Sequence, residues 1–200
     1  MGIKILKIKN RETIQGAVKE SIAVLKSGGV IIHPTDTCYG ITANIFNSEA
    51  IEKIYRFKGR YYSKPFSIVV NSIKEFKKYG EWLPEIESLL RENPKRVFSF
   101  VVPKKENIPP YLNPGITTVG IIITNHPFLS LLLKKIKQPL VATSANLSGL
   151  QNNYSINSLL KQIKNADVHP DLIIDQGRLP FRRPSSVVEI KNGQIYYLRK

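Results

Sequence analysis

Hydrophobic positions repeat along the chain with two periods, one typical of helices and one typical of strands. Ile14, Val18, Ile22 and Leu25 lie three or four residues apart, which predicts an amphipathic helix over residues 10–27. Short apolar runs bounded by turn residues predict strands over residues 30–33, 67–71, 97–102, 119–123, 140–143 and 172–175. The two patterns alternate along most of the chain.

Further helices and a terminal hairpin complete the predicted elements. Helices are predicted from Ser48 to Gly59, after a capping box at residues 72–75, and over residues 82–92, 127–136 and 155–164. Ser48 is expected to cap the first of them. Residues 1–7 alternate Lys with Ile or Leu and predict an edge strand, and Asn192-Gly193 predicts a tight hairpin between strands 186–190 and 194–198. This order predicts an α/β or α+β fold, a single domain over residues 1–200 with a mixed sheet and flanking helices.

Composition excludes several classes of protein. Apolar residues make up 42% and charged residues 22% of the 200 residues, which is ordinary for a globular protein. No apolar run approaches the roughly 20 residues that cross a bilayer, and the N-terminus lacks the pattern of a signal peptide. The chain has one cysteine, which excludes an internal disulfide. We therefore expect a cytoplasmic protein without a membrane span.

The charge is less ordinary. Thirty Lys and Arg against fifteen Asp and Glu give a net charge of +15. A surface this basic favours polyanions such as RNA, or anionic substrates such as nucleotides. The alternative is that a Lys-rich composition reflects genome bias and solubility, because the lysines are spread along the chain. Both interpretations stay open at this stage.

Two polar segments follow predicted strands and are suited to one ligand. Residues 33–40 and 142–149 are rich in hydroxyl and amide side chains, and Lys58 and Arg60 follow the helix between them. Two cations separated by one glycine can face the same side of a loop and contact adjacent phosphate oxygens. The pattern predicts a phosphate-bearing substrate, with a solvated basic loop and ordinary turns as the alternative.

Other common sites are excluded or disfavoured. Neither a P-loop sequence nor a Gly-x-Gly-x-x-Gly motif is present. His33, His126 and His169 show no metal-ligand spacing with Cys38, so no protein metal site is predicted. Cys38 is predicted to be a small buried residue, although the sequence leaves a Cys-His nucleophilic pair open.

Four motifs together resemble the YrdC/Sua5 family. In chain order they are Pro-Thr-Asp-Thr-x-Tyr-Gly, Lys-Gly-Arg-x-x-x-Lys-Pro, Thr-Ser-Ala-Asn-x-Ser-Gly and Pro-Ser-Ser-Val-Val. The resemblance covers roughly residues 10 to 199. It implies an α/β fold with a twisted sheet and an open, positively charged cavity. It also implies L-threonylcarbamoyladenylate synthase activity, a nucleotidyl transfer in which L-threonine, bicarbonate and ATP give threonylcarbamoyl-AMP and pyrophosphate for t6A37 modification of tRNA by a downstream transferase.

The resemblance also implies roles for individual residues. Lys58 and Arg60 match the family's catalytic phosphate-binding cations. The implied nucleotide-binding residues are Lys58, Tyr62, Thr118, Ser144, Asn146, Asn152 and Arg199. The implied threonine-binding residues are Thr35, Ser67, Ala142 and Ser185. ATP is then a substrate and brings Mg²⁺ on its triphosphate, because no carboxylate cluster predicts a protein metal site.

Three departures from the family pattern concern the threonine side. Ile122 occupies the position of an Arg that helps bind threonine in the family. Residues 94–98 replace a Pro-Gly-Pro-x-Thr segment, and Arg182-Arg183 precede the last motif where small residues are common. Arg182, Arg183, Arg178 or Arg96 could replace the lost cation. The alternative function is therefore a divergent relative that binds nucleotide or RNA without threonine-dependent synthesis.

Overall fold

The computed structural model describes residues 3–59 and 64–200, which form ten strands and six helices. The strands are β1 (Lys4–Lys7), β2 (Ile31–Pro34), β3 (Tyr39–Thr42), β4 (Ser67–Val70), β5 (Phe98–Pro103), β6 (Thr118–Ile123), β7 (Leu140–Ser144), β8 (Leu172–Asp175), β9 (Ser186–Lys191) and β10 (Gln194–Arg199). The helices are α1 (Arg11–Lys26), α2 (Ser48–Lys58), α3 (Ile73–Tyr79), α4 (Pro84–Glu92), α5 (Pro127–Ile136) and α6 (Ile156–Gln162). None of these helices is long and apolar enough to cross a membrane.

The strands form one mixed sheet in the order β1-β8-β2-β3-β7-β4-β6-β5-β9-β10. Neighbours are parallel in the pairs β1–β8, β8–β2, β4–β6 and β5–β9 and antiparallel in the others. The central strand β7 is antiparallel to both of its neighbours, β3 and β4. It therefore joins the four strands β1, β8, β2 and β3 to the rest of the sheet, and it carries one of the predicted site segments.

Each face of the sheet has its own apolar cluster, because side chains alternate along a strand. Ile31 and Val69 pack in the cluster with α1 and α5. Their chain neighbours Ile32 and Ile68 belong to the other cluster, with α2, α3, α4 and α6. Helices thus flank the sheet on both faces, and the predicted α/β class is confirmed.

Most predicted elements are confirmed, with differences confined to their ends. The predicted bounds of α5 and β8 are those observed, and β1 is an edge strand that pairs only with β8. Asn192 and Gly193 have φ of 52° and 71°, so both adopt the left-handed conformation of a tight hairpin turn. The predicted cap Ser48 is wrong: Asn47 caps α2 by accepting from the Ala50 N–H, and Ser48 is the first helical residue.

The sequence prediction missed β3. Tyr39 and Gly40 belong to the polar segment 33–40, whose sequence indicates a loop after β2. In the structure that segment is a hairpin, with Pro34 opposite Tyr39. Gly40 also lies against β7, where an added Cβ would be 3.3 Å from the Thr143 carbonyl oxygen. A four-residue strand that contains a glycine has too few hydrophobic positions for its pattern to predict a strand.

Candidate active site

A cavity of about 720 Å³ lies on the sheet face that α5 partly covers. On β6 the cavity-facing residues are Thr118, Gly120 and Ile122, every second residue of the strand. β4 contributes Ser67 and Val69 in the same way. Along both strands the lining therefore changes from polar to apolar towards Leu129 of α5, which also lines the cavity.

Lys58, Ser144 and Asn146 form one hydrogen-bonded group at the end of β7. Lys58 is the last residue of α2, its side chain is buried, and its Nζ donates to the Ser144 carbonyl at 2.7 Å. The same Nζ donates to the Asn146 carbonyl at 2.9 Å and to Asn146 Oδ1 at 3.1 Å. Ser144 Oγ also donates to Asn146 Oδ1, at 2.6 Å. The ammonium therefore holds the 144–146 turn against α2 while its charge faces the cavity.

Thr35 organises the turn of the β2–β3 hairpin. Its hydroxyl donates to the Cys38 carbonyl at 2.7 Å and accepts from the backbone N–H groups of Thr37 and Cys38. The residues that follow β2 are thereby fixed at the cavity wall. Thr35 lines the cavity as predicted, but its donor is already used within the turn.

Small hydroxyl groups and Arg199 also line the cavity. Ser67 Oγ lies 2.8 Å from Ser99 Oγ, and Gly120 lies beside this pair, so a Cβ at position 120 would collide with both hydroxyls. Arg199, near the end of β10, donates from Nε to the Ser185 carbonyl and from Nη2 to Ser185 Oγ, each at 3.0 Å. The glycine thus keeps the wall open, and Ser185 positions the guanidinium.

Every predicted site residue that the structure describes lines this cavity: Thr35, Lys58, Ser67, Thr118, Ala142, Ser144, Asn146, Asn152, Ser185 and Arg199. Arg60 and Tyr62 lie outside the described residues. Among the described lining residues, the cations are Lys58, Lys64 and Arg199 and the carboxylates are Asp36 and Glu189. That the cavity is basic as a whole stays a prediction.

Sequence reasoning gave no role to three polar residues that also line the cavity, Thr124, Asp36 and His33. Thr124 Oγ1 donates to Asp36 Oδ2 at 2.6 Å, and both residues line the cavity beside Ile122. Burial lowers the pKa of His33 to about 4, and its Nδ1 donates to the Pro34 carbonyl at 2.9 Å, so the ring is neutral at pH 7. Thr124 continues the every-second-residue pattern of β6, and this pattern could have identified it.

The apolar end has no replacement for the family's arginine in the part of the chain that the structure describes. From β4, β6 and α5 the lining residues are uncharged, and Ile122 is among them. Of the four arginines considered as substitutes, Arg96, Arg178, Arg182 and Arg183, none lines the cavity. Arg182 contacts the hairpin, where its Nη1 donates to the Asp36 carbonyl at 3.3 Å.

Cys38 is buried, as predicted, and burial raises the pKa of its thiol. Its sulfur lies 3.9 Å from Thr37 Oγ1, and no hydrogen bond to a histidine is found for it within residues 3–59 and 64–200. No group of three or more His, Cys, Asp or Glu side chains in those same ranges is arranged to hold a metal ion. The site therefore offers hydrogen-bond donors and cations, the groups that bind an anionic substrate.

Comparison with known proteins identifies the family. The family model for Sua5, YciO and YrdC proteins, which carries the description "Telomere recombination", matches residues 23–200. The chain belongs to this family. A relative, the threonylcarbamoyl-AMP synthase of Thiobacillus denitrificans, is 30% identical over 186 residues, covering 92% of this chain and 96% of its own.

Two solved structures of the family share the fold. Escherichia coli YciO has a TM-score of 0.84 at 21% identity, covering all of this chain and 95% of its own. Sua5 of P. abyssi, solved in complex with L-threonine, has a TM-score of 0.83 at 24% identity. This chain spans 57% of that Sua5 chain. The similarity confirms the α/β fold of the family.

Proposed function

We propose that the protein is an L-threonylcarbamoyladenylate synthase, a nucleotidyltransferase that converts L-threonine, bicarbonate and ATP into threonylcarbamoyl-AMP and pyrophosphate. The proposal rests on one observation: all predicted site residues that the structure describes line one cavity, and Lys58, Ser144 and Asn146 form one hydrogen-bonded group there. A relative of matching length is named for this activity.

The chemistry needs positioning and charge stabilisation rather than a covalent enzyme intermediate. The threonine amine nitrogen first bonds to the carbon of bicarbonate, and the hydroxyl group of bicarbonate leaves with an amine proton as water, to give N-carboxythreonine. A carboxylate oxygen of that compound then attacks the α-phosphorus of ATP, the bond from that phosphorus to the bridging oxygen breaks, and pyrophosphate leaves with the electron pair. Lys58, and Arg60 in the adjoining segment, would stabilise the charge that develops on the phosphate oxygens.

The remaining site residues have proposed roles on either side of the reacting atoms. Thr118, Ser144, Asn146, Asn152 and Arg199 would bind the nucleotide. Thr35, Ser67, Ala142 and Ser185 would surround the threonine. Tyr62 is proposed for the nucleotide side by its motif position.

Several partners belong to the proposal. Mg²⁺ would arrive on the triphosphate as part of the substrate, since the cavity lining described contains only Asp36 and Glu189 as carboxylates. The product would pass to a transferase that modifies tRNA, and the net charge of +15 would favour contact with RNA. The proposed location is the cytoplasm.

One observation favours the alternative function, a nucleotide- or RNA-binding relative without threonine-dependent synthesis. Ile122 and the neighbouring lining of β4 and α5 offer no cation for a substrate carboxylate. The charge-assisted contact that the family uses for threonine is therefore missing at this position, and the nucleotide side of the cavity is complete among its described residues.

Pyrophosphate release from ATP and bicarbonate, with and without L-threonine, tests the proposal. We expect threonine-dependent release, and we expect Lys58→Met to reduce it about a hundredfold because a donor to the developing phosphate charge is lost. Lys161→Met, on the exposed side of α6, is the matched control and should keep full activity. ATP binding with no threonine-dependent release would support the alternative function instead.

A further inference from the structure

A second cavity of about 550 Å³ opens beside the candidate active site. It shares Asp36, Thr37, Val97 and Pro184 with the first cavity. Five cationic residues line it, and we call this cavity the basic cleft: Lys95, Arg96, Arg182, Arg183 and Lys200. They come from three separate segments of the chain, so only the fold brings them together.

The cationic side chains of the basic cleft form no ion pairs with the residues that the structure describes. Ion pairs within the described residues are Lys4–Glu20, Glu75–Lys78 and Glu189–Lys191, and none includes a cation of the cleft. Among the described lining residues the single carboxylate side chain is that of Asp36, which accepts a hydrogen bond from Thr124. Like charges that line one cleft repel one another, so a bound anion would stabilise the cleft.

Two of the arginines are held in place. Arg96 donates from Nε to Ser186 Oγ at 2.7 Å, and its guanidinium lies 5.5 Å from the ring centre of Phe98 and 5.6 Å from that of Tyr197. Arg182 is fixed by its hydrogen bond to the Asp36 carbonyl. A guanidinium oriented before binding loses less side-chain entropy when it pairs with a phosphate, and its planar fork matches two phosphate oxygens.

We propose that the basic cleft binds two or more phosphate groups of a polyanion beside the mouth of the active site. One phosphate carries at most two charges, whereas the cleft presents five cations around a volume several times that of a phosphate. Two sources share this chemistry: a free polyphosphate such as pyrophosphate, and the backbone of an RNA strand. The site stands apart from the proposed synthase activity, since binding alone defines it.

Lys95 and Arg183 are suitable for a test because both are exposed and neither makes a hydrogen bond or ion pair with another described residue. The double variant Lys95→Gln/Arg183→Gln removes two charges from the cleft without removing a side-chain hydrogen bond or ion pair found among the described residues. The matched control is Lys134→Gln/Lys135→Gln, which removes two exposed charges from the end of α5, outside both cavities. Thermal unfolding of both variants should match that of the unmodified protein.

The probes are a fluorescein-labelled single-stranded RNA 12-mer and inorganic pyrophosphate, each titrated at several salt concentrations. We expect the cleft variant to bind at least one probe about tenfold more weakly at low salt. For RNA, we expect the slope of log affinity against log salt to fall by about 1.4, because two phosphate contacts are lost. A loss confined to RNA identifies a strand as the source, and a loss confined to pyrophosphate identifies a free polyphosphate.

Two results would overturn the proposal. One is unchanged affinity for both probes in the cleft variant. The other is an equal loss in the Lys134→Gln/Lys135→Gln control, which would show that the net charge of the chain, and not the cleft, attracts polyanions. Neither result depends on pyrophosphate release from ATP, so failure of the site and failure of the proposed synthase activity are separate observations.

Discussion

At the scale of single residues, the candidate site is held together by its own hydrogen bonds. The three N–H donors of Lys58 have three acceptors on the 144–146 turn, and the side-chain oxygen of Asn146 accepts from both Lys58 and Ser144. These side chains are therefore oriented before a nucleotide binds. A bound phosphate would contact an ammonium group that is already held in place. One N–H donor of that ammonium would then be shared between the phosphate and an acceptor on the 144–146 turn.

Ile122 occupies the position at which the family resemblance predicts an arginine, and its substitution is informative. Ile122→Arg should lower the KM for L-threonine about tenfold with kcat little changed, because a guanidinium in the cavity can pair with the substrate carboxylate. Steady-state pyrophosphate release at varied threonine measures this.

Ile122→Met is the matched control, since it changes shape without adding charge. It should leave the KM for L-threonine within about twofold, because volume-conserving apolar substitutions are tolerated. An unchanged or higher KM in Ile122→Arg would show that the carboxylate binds elsewhere in the cavity.

Residue identities in the cavity could be predicted from the sequence, but their bonding could not. The motifs identify Lys58, Ser144 and Asn146 because this chain contains the residue types of the motifs in the same order. The hydrogen bond between Thr124 and Asp36 joins residues 88 positions apart. No local pattern encodes that pairing, which depends on how β6 lies against the β2–β3 hairpin.

At the scale of elements, the segment between β5 and β6 is tied to β4 by one buried asparagine. Asn113 Oδ1 accepts from the Phe66 N–H at 2.7 Å, and its Nδ2 donates to the Phe66 carbonyl at 2.8 Å. Asn113 has φ of 54°, a conformation that asparagine tolerates better than most residues. Lys104 Nζ donates to the Asn113 carbonyl at 2.9 Å and fixes the same turn.

Asn113→Ala should lower the free energy of unfolding by about 3 kcal/mol, because two backbone groups lose their buried partners and alanine is strained at this φ. Urea unfolding measures the change. Asn107→Ala, at an exposed position of the same segment, should cost less than about 0.5 kcal/mol. Equal effects of the two substitutions would contradict a structural role for Asn113.

Element prediction succeeded where the pattern is local. The spacing of Ile14, Val18 and Leu25 and the Asn192-Gly193 pair each depend on a few neighbouring residues, and α1 and the β9–β10 hairpin form as predicted. β3 was missed although it pairs locally with β2, because its four residues include a glycine and give too short an apolar pattern. Its other partner, β7, lies about a hundred residues away, and strand pairing over that distance is decided by tertiary contacts.

At the scale of the whole molecule, stability depends on keeping a buried histidine neutral. Burial lowers the pKa of His33 to about 4, against 6.5 for the unperturbed group. Below pH 6.5 the unfolded chain therefore takes up a proton that the folded chain does not. The free energy of unfolding should fall as the pH decreases from 6.5 to about 4. Below about pH 4 the contribution of His33 to that free energy should no longer change.

His33→Gln removes this titration. We expect the loss of stability between pH 6.5 and 4 to be smaller in the variant by about 3 kcal/mol. Chemical unfolding at a series of pH values measures the difference. His169→Gln, which changes a histidine on the surface, should leave the pH profile of the unmodified protein in place. If His33→Gln follows that profile as well, another group controls acid unfolding.

The sheet order is the part of the whole molecule that the sequence could not provide. Short apolar runs show where the strands are. The order of the strands, with β1 beside β8 and β7 between β3 and β4, depends on how the two helical layers cover the two faces of the sheet. Many orders would bury the same apolar residues. The family resemblance, not periodicity, supplied the expectation of a cavity on one face.

The pairing of β1 with β8 has a consequence for how the chain folds during its synthesis. Lys4 pairs with Leu172, and β7, which completes both halves of the sheet, begins at Leu140. Non-local strand pairs form slowly because a long loop must close before any contact compensates for the lost entropy. On the ribosome, β2 and β3 emerge well before β7 and β8 exist. Their unpaired edges must stay soluble until the second half of the sheet has been translated.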